Sequence, residues 1–209
     1  MLIRDFFMSE KQRINIVLPN NISLHIKRED LLHPIISGNK FRKLKYNLEA
    51  AKKQNQNVLL TFGGAFSNHI VAVAGAGKEF GFKTIGIIRG NELQDKIAEN
   101  PSLLQAQQLG MKFVFVTREQ YRLKESANFI QQIQKDFGNF YLLPEGGTNQ
   151  LAIKGCEEIL TETDAEFTHV CASVGTGGTI TGIINSSNPR QQIIGFSSLK
   201  GDFLQKDIA

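Results

Sequence analysis

The sequence predicts an α/β fold built on parallel sheet, and three observations carry that prediction. Six short β-branched and aromatic runs begin at Val58, Thr84, Lys112, Phe140, His169 and Ile193, so successive starts lie 24 to 29 residues apart. A strand plus its crossover helix consumes about 30 residues, which makes this the rhythm of successive βαβ units. The intervals carry helical patterns, and the runs are nearly continuous in apolar residues, as strands are when helices cover both faces of a sheet.

Taken in order, Ile22 to Arg28 alternates apolar and charged residues like a half-exposed strand, and Leu31 to Lys40 reads as a loop holding His33-Pro34 and Ser37-Gly38-Asn39. A helix follows from Lys40 to about Lys53, with Leu44, Leu48 and Ala51 at helical spacing. Strands are then expected over Val58 to Phe62, Thr84 to Ile88, Lys112 to Val116, Phe140 to Leu143, His169 to Ser173 and Ile193 to Phe196. Between them, helices are expected over Asn68 to Phe80, Pro101 to Leu109, Ser126 to Phe137 and Leu151 to Leu160, and one more after the glycine-rich stretch at 175–182.

Composition narrows the function classes. The chain has 209 residues with 41% hydrophobic and 21% charged, the profile of a globular protein with a core. A net charge of +4 comes from scattered basic residues, without Trp, and does not form the stripe expected of a nucleic-acid binder. Cys156 and Cys171 lack metal-ligand spacing, which argues for a reducing compartment and against a metal site. The stretch Met1 to Arg13 is charged early and is expected to be no signal peptide, and no run of about 18 apolar residues suggests a membrane span. A cytoplasmic location follows as the expectation.

Four loops could carry chemistry. The first, Ser37-Gly38-Asn39-Lys40-Phe41-Arg42-Lys43, delivers a lysine onto the first turn of a helix, where the unpaired N–H groups disfavour a second positive charge. Lys40 should therefore release its proton easily, and a neutral amine is what Schiff-base chemistry needs. The plainer reading is that Lys40, Arg42, Lys43 and Lys45 form the solvated face of the helix.

The second loop, Phe62 to His69, lies where a parallel strand ends and a helix begins, the end of such sheets where ligands collect. Its Ser67 or Asn68 would equally serve as a helix cap. The third, Cys171 to Gly182, runs from a strand into glycines and hydroxyls and then a helix, a phosphate cradle in type. It lacks the lysine of a Walker loop and an acidic ribose partner, though a nucleotide-binding module stays open as an alternative. The fourth, Pro144 to Asn149, reads as a connecting turn unless the other three loops converge on it.

In this order the motifs resemble the pyridoxal-phosphate enzymes of the tryptophan-synthase β-like fold, and most of all the 1-aminocyclopropane-1-carboxylate deaminase and D-cysteine desulfhydrase branch. The resemblance is carried by Lys27-Arg28-Glu29-Asp30-Leu31, Gly38-Asn39-Lys40 with Arg42-Lys43-Leu44, Ser67-Asn68-His69, and the loop from Ser173 to Gly182. It implies two open, mainly parallel sheets with helices on both faces (fold type II). A larger cofactor domain would comprise residues 1–43 and 151–209, and a smaller inserted domain residues 44–150. Family members are about half as long again, so the larger domain is expected to be incomplete and the partner of the pyridine nitrogen to lie outside the chain.

By the same resemblance the cofactor is pyridoxal 5′-phosphate and the substrate a small amino acid, with ammonia and an α-keto acid as products and a homodimer as the assembly. Lys40 matches the Schiff-base lysine that later shuttles the substrate proton. Lys43 and the backbone of Gly175, Thr176, Gly177, Gly178 and Thr179 match the phosphate-binding groups, and Asn68 the partner of the ring hydroxyl. Ser67 matches the serine over the cofactor near the substrate carboxylate, and Asn39 and His69 join it as substrate-binding positions. No metal is implied. Phe66 replaces a common Gln, and His69 follows the desulfhydrase branch. An inactive cofactor-binding fragment is the alternative.

Overall fold

The structure, a computed structural model, describes residues 8–198. The expected N-terminal features of residues 1–7 and the tail at 199–209 of the larger domain lie outside the described residues.

The chain opens with an antiparallel pair, β1 (Lys11–Arg13) and β2 (His25–Lys27). The strand expected over Ile22 to Arg28 is cut to three residues. One further bond joins Ile14 N to Leu24 O at 2.9 Å, and then the chain enters a turn at Pro19–Asn21, with Asn20 and Asn21 at φ 56°. Gly38, at φ 62°, turns the chain into α1 (Asn39–Lys53), whose Leu44, Leu48 and Ala51 enter the main core.

Four parallel strands form the principal sheet in the order β5-β4-β3-β6: β3 (Val58–Gly63), β4 (Lys83–Arg89), β5 (Lys112–Val116) and β6 (Tyr141–Leu143). Their crossovers contain α2 (Asn68–Phe80), α3 (Pro101–Gln108), and the pair α4 (Arg118–Arg122) and α5 (Ala127–Phe137). The apolar runs divide by strand alternation. Leu59 and Ile88 pack with Ile70, Val73, Leu103 and Ala106 on one side, while Leu60, Phe62, Ile85 and Ile87 pack with Tyr121 and Ile133 on the other. Helices thus cover both faces, which is why these strands carry so few polar residues.

A second parallel pair, β7 (His169–Val174) and β8 (Gln192–Ser197), is linked by α7 (Gly178–Ser186). Val170, Ala172 and Ile193 pack against Cys156, Ile159 and Ile183. Ahead of it, α6 (Gln150–Cys156) is shorter than the expected Leu151 to Leu160, because bonds from Glu158 N to Gly155 O and Ile159 N to Cys156 O tighten its last turn. The expected dividing points at 43/44 and 150/151 fall inside α1 and at the start of α6, and these two helices pack closely. A Cβ added to Gly155 would lie 2.0 Å from Arg42 O.

Among the described residues no helix is long and apolar enough to cross a membrane, and no cluster of His, Cys, Asp and Glu could hold a metal ion.

Candidate active site

Burial of the α1 cations sets the site. The plainer reading of Lys40, Arg42, Lys43 and Lys45 as a solvated face is corrected: Arg42 and Lys43 are each 2% exposed and Lys45 is 9% exposed. Arg42 is held by Glu29 at 2.9 Å and Lys45 by Glu158 at 2.6 Å, so both charges are compensated. Lys43 has no carboxylate partner among the described residues. Its ammonium donates to Gly146 O at 3.1 Å, Thr148 Oγ1 at 2.8 Å and Thr176 Oγ1 at 3.3 Å, all neutral acceptors. Burial, and then the nearby Lys40, push its pKa down to about 8.

Lys40, on the first turn of α1, points into a cleft of about 400 Å³ of empty space bounded also by Asn39, Lys43 and the Gly175–Gly177 turn. It donates to no described residue. Its pKa is lowered, and the largest cause is burial rather than the helix terminus on which the sequence argument leaned, with the Cys156 thiol opposing. Cys156 is itself fully buried, close enough to Thr179, Lys43 and Lys40 to feel all three, and its thiol is pushed up to about 11 mainly by burial. Nothing in its sequence context marked it.

The loop after β7 fits an anion. Gly177 takes φ 78° as the chain turns into α7, and Asn39 Nδ2 reaches across to donate to Thr179 Oγ1 at 2.8 Å. Thr148 and Thr176 share a hydrogen bond at 2.6 Å, so the Pro144 to Asn149 loop does converge on the glycine loop. Glycines allow the approach: a Cβ on Gly178 would lie 2.7 Å from Thr148 Cγ2, and one on Gly146 would lie 2.8 Å from Thr176 Cγ2. Gly175 has open space beside it. A buried ammonium without a counter-ion, next to a helix N-terminus, matches the phosphate end of a cofactor, and an unpaired desolvated lysine in the same cleft matches its carbonyl end.

Ser67 is the N-cap of α2 and accepts a long bond from Ile70 N at 3.4 Å. Its O–H donates to no described residue. Asn68, the first residue of α2, is exposed and bounds neither this cleft nor its neighbour. His69 is 2% exposed beneath Gly147, hydrogen-bonded through Nε2 to Thr61 Oγ1 at 2.8 Å. Burial, with Lys40 and Lys43, holds its pKa down at about 3, so the ring is neutral. Of the sequence-derived residues, then, Asn39, Lys40, Lys43, Gly175, Thr176, Gly177 and Thr179 meet at one cleft, while Asn68, His69 and Gly178 do not bound it.

A larger cleft adjoins the first, sharing Gly146, Gly175 and Thr176 with it. It holds Ser67 and Phe66 together with four charged residues the sequence reading missed: Arg89, Glu92, Arg118 and Glu145. They come from three separate strand ends, and nothing local joins them.

Comparison with known proteins gives a consistent result. A family model described as pyridoxal-phosphate dependent enzyme matches residues 13–208. A putative 1-aminocyclopropane-1-carboxylate deaminase of Thermotoga maritima is 34% identical over 183 residues, covering 84% of this chain and 55% of that protein. A mitochondrial bifunctional D-cysteine desulfhydrase/1-aminocyclopropane-1-carboxylate deaminase of Arabidopsis thaliana is 31% identical, covering 79% of this chain and 45% of its own. The chain spans about half the length of these curated relatives. Among solved structures, an ACC deaminase homologue superposes with a TM-score of 0.76 at 25% identity, covering all of this chain and 65% of the other.

Proposed function

The chain belongs to the pyridoxal-phosphate-dependent enzymes, and from that premise we propose that it forms the cofactor-binding part of a lyase or deaminase of small amino acids. The substrate would be 1-aminocyclopropane-1-carboxylate or D-cysteine, with ammonia and an α-keto acid released. One observation carries the reading: Lys40, desolvated and unpaired, shares a cleft with Lys43, a buried cation with no carboxylate beside it.

When bound, pyridoxal phosphate supplies a conjugated electron sink for the substrate's α-carbon. Every other task falls to side chains and backbone. Lys43 and the Gly175 to Thr179 turn hold the phosphate, Lys43 contributing charge while its three N–H groups keep the surrounding loops in place. Asn39 fixes Thr179 and with it the start of α7. Burial favours the neutral amine of Lys40, whose Nζ is then free to bond the cofactor and to move the proton at the substrate α-carbon. The free O–H of Ser67 faces the adjoining cleft, where it would orient the substrate. His69, neutral and sealed behind Gly147, would act by holding that backbone in place and not by touching the substrate.

The test is borohydride reduction of the protein mixed with pyridoxal phosphate, followed by peptide mass spectrometry. The expected result is a pyridoxyl adduct on Lys40 that Lys40→Ala abolishes. An adduct on Lys43, or one surviving in Lys40→Ala, overturns the assignment. An adduct without ammonia release would identify a chain that binds the cofactor but does not turn over.

A further inference from the structure

Resting on the reading that Lys43 and the loops around it hold the cofactor's phosphate, we propose that Asn47 is a positioning residue for that site, its buried amide clamping both ends of the segment that supplies Lys43 with acceptors. Asn47 stands among Leu44, Leu48 and Ala51 on the inward face of α1, where helical spacing calls for an apolar side chain, yet it is fully buried. Every polar site of its amide is used. Nδ2 donates to Lys43 O at 2.8 Å and to Asn149 Oδ1 at 3.2 Å, while Oδ1 accepts from Asn149 Nδ2 at 2.7 Å and from Tyr141 Oη at 3.0 Å. An amide meets this demand for two donors and two acceptor sites; a carboxylate or an alkyl group of similar size does not.

The partners bracket one wall of the cleft. Tyr141 opens β6, and Asn149 caps α6 by accepting from Ala152 N at 2.9 Å, so the two flank residues 142–148. Inside that span lie Gly146 O and Thr148 Oγ1, which accept from the Lys43 ammonium at 3.1 and 2.8 Å, and Thr148 passes the constraint to Thr176 of the glycine loop at 2.6 Å. Asn47 sits one turn after Lys43 and bonds its carbonyl as well. One side chain thereby grips the helix that carries the cation and both ends of the loop that receives it. With Gly146 and Gly147 at φ 67° and 70°, that loop follows neither helix nor strand, so its fixed ends decide where its middle lies.

The experiment has two arms. In the first, cofactor-free full chain is titrated by calorimetry with pyridoxine 5′-phosphate, an aldehyde-free probe, in wild type, Asn47→Leu, Lys43→Met and the double variant. Asn47→Leu should weaken binding about tenfold or more while Lys43 is present and by less than about twofold once it is Met, because a positioning residue acts only through the group it positions. Tyr141→Phe removes a single bond to Asn47 and puts the fold at less risk, and it should show the same dependence at about threefold. In the second arm, ¹⁵N relaxation of the cofactor-free protein is followed in the same Asn47 and Tyr141 variants. Order parameters of Gly146, Gly147 and Thr148 should fall toward about 0.6 while those of β3 and β4 stay near about 0.85, a change that a mere loss of global stability does not produce. Affinity unchanged in the folded variants, a loss equal with and without Lys43, or order parameters unmoved in the loop overturns the proposal and leaves Asn47 a core residue. Failure of the phosphate reading is seen separately, as a probe that wild type does not bind or that Lys43→Met binds equally well, and the relaxation arm then decides whether Asn47 holds the loop.

Discussion

Lys43 Nζ donates to Thr148 Oγ1 at 2.8 Å across 105 residues of sequence. With the Thr148–Thr176 bond at 2.6 Å, that contact ties the loops after β6 and β7 to the second turn of α1. Thr148→Val keeps the shape but deletes the acceptor, leaving a buried ammonium short of a partner. We expect a loss of about 1–3 kcal/mol in urea unfolding of the cofactor-free protein. A change within a few tenths would mean that Thr176 and Gly146 suffice.

The lowered pKa of Lys43 gives a direction to pH dependence. In the unfolded chain the amine titrates near its ordinary 10.5, and in the fold at about 8. Between those values the unfolded state binds more protons, so the cofactor-free fold should gain stability as pH rises through that window. A bound phosphate favours the charged amine, so its binding takes up a proton there and its affinity should fall as pH rises above about 8. Pyridoxine 5′-phosphate is the probe, since without an aldehyde it does not engage Lys40. A dissociation constant that is flat from about pH 7 to 9.5, where a rise of up to roughly tenfold per unit above 8 is the limit, would count against Lys43 at the phosphate.

Gly175 and Gly177 should behave differently when enlarged. Gly177 sits at φ 78°, so any side chain there strains the fold by about 1–2 kcal/mol as well as crowding the ligand. Gly175 has no positive φ and has open space beside it, with both clefts adjacent. Gly175→Leu should therefore leave the thermal midpoint nearly unchanged while abolishing cofactor binding, as followed by absorbance. If both variants lose stability and affinity in step, the loop is a structural turn.

Ser67 combines a cap with a free hydroxyl. Its bond to Ile70 N is long at 3.4 Å, so Ser67→Ala should cost no more than about 1 kcal/mol of stability. Ammonia release per cofactor-loaded molecule should fall by about a hundredfold if the hydroxyl handles a proton, with the cofactor spectrum intact. The measurement belongs in a full-length protein of the family's usual extent. Unchanged turnover would reduce Ser67 to its cap.

The sequence by itself determined the α/β class and the places where strands and helices lie. A 24-to-29-residue rhythm of apolar runs has few other structural solutions. It also marked Lys40 and the 175–179 turn, because Gly38 before a helix and glycines after a strand are local signals that survive without partners. Only the tertiary structure decided that Arg42, Lys43 and Lys45 are interior. Helical periodicity gives the phase of a side chain but not what faces it, and Glu29, Glu158 and Thr148 arrive from elsewhere in the chain. The same holds for the fourth loop, read as a plain turn until Thr148 met Thr176, and for Arg89, whose cleft is assembled from five strand ends. Local patterns fix local conformation. Whether a charge is solvated, paired or left waiting for a ligand depends on which distant segments the sheet brings to its carboxyl edge.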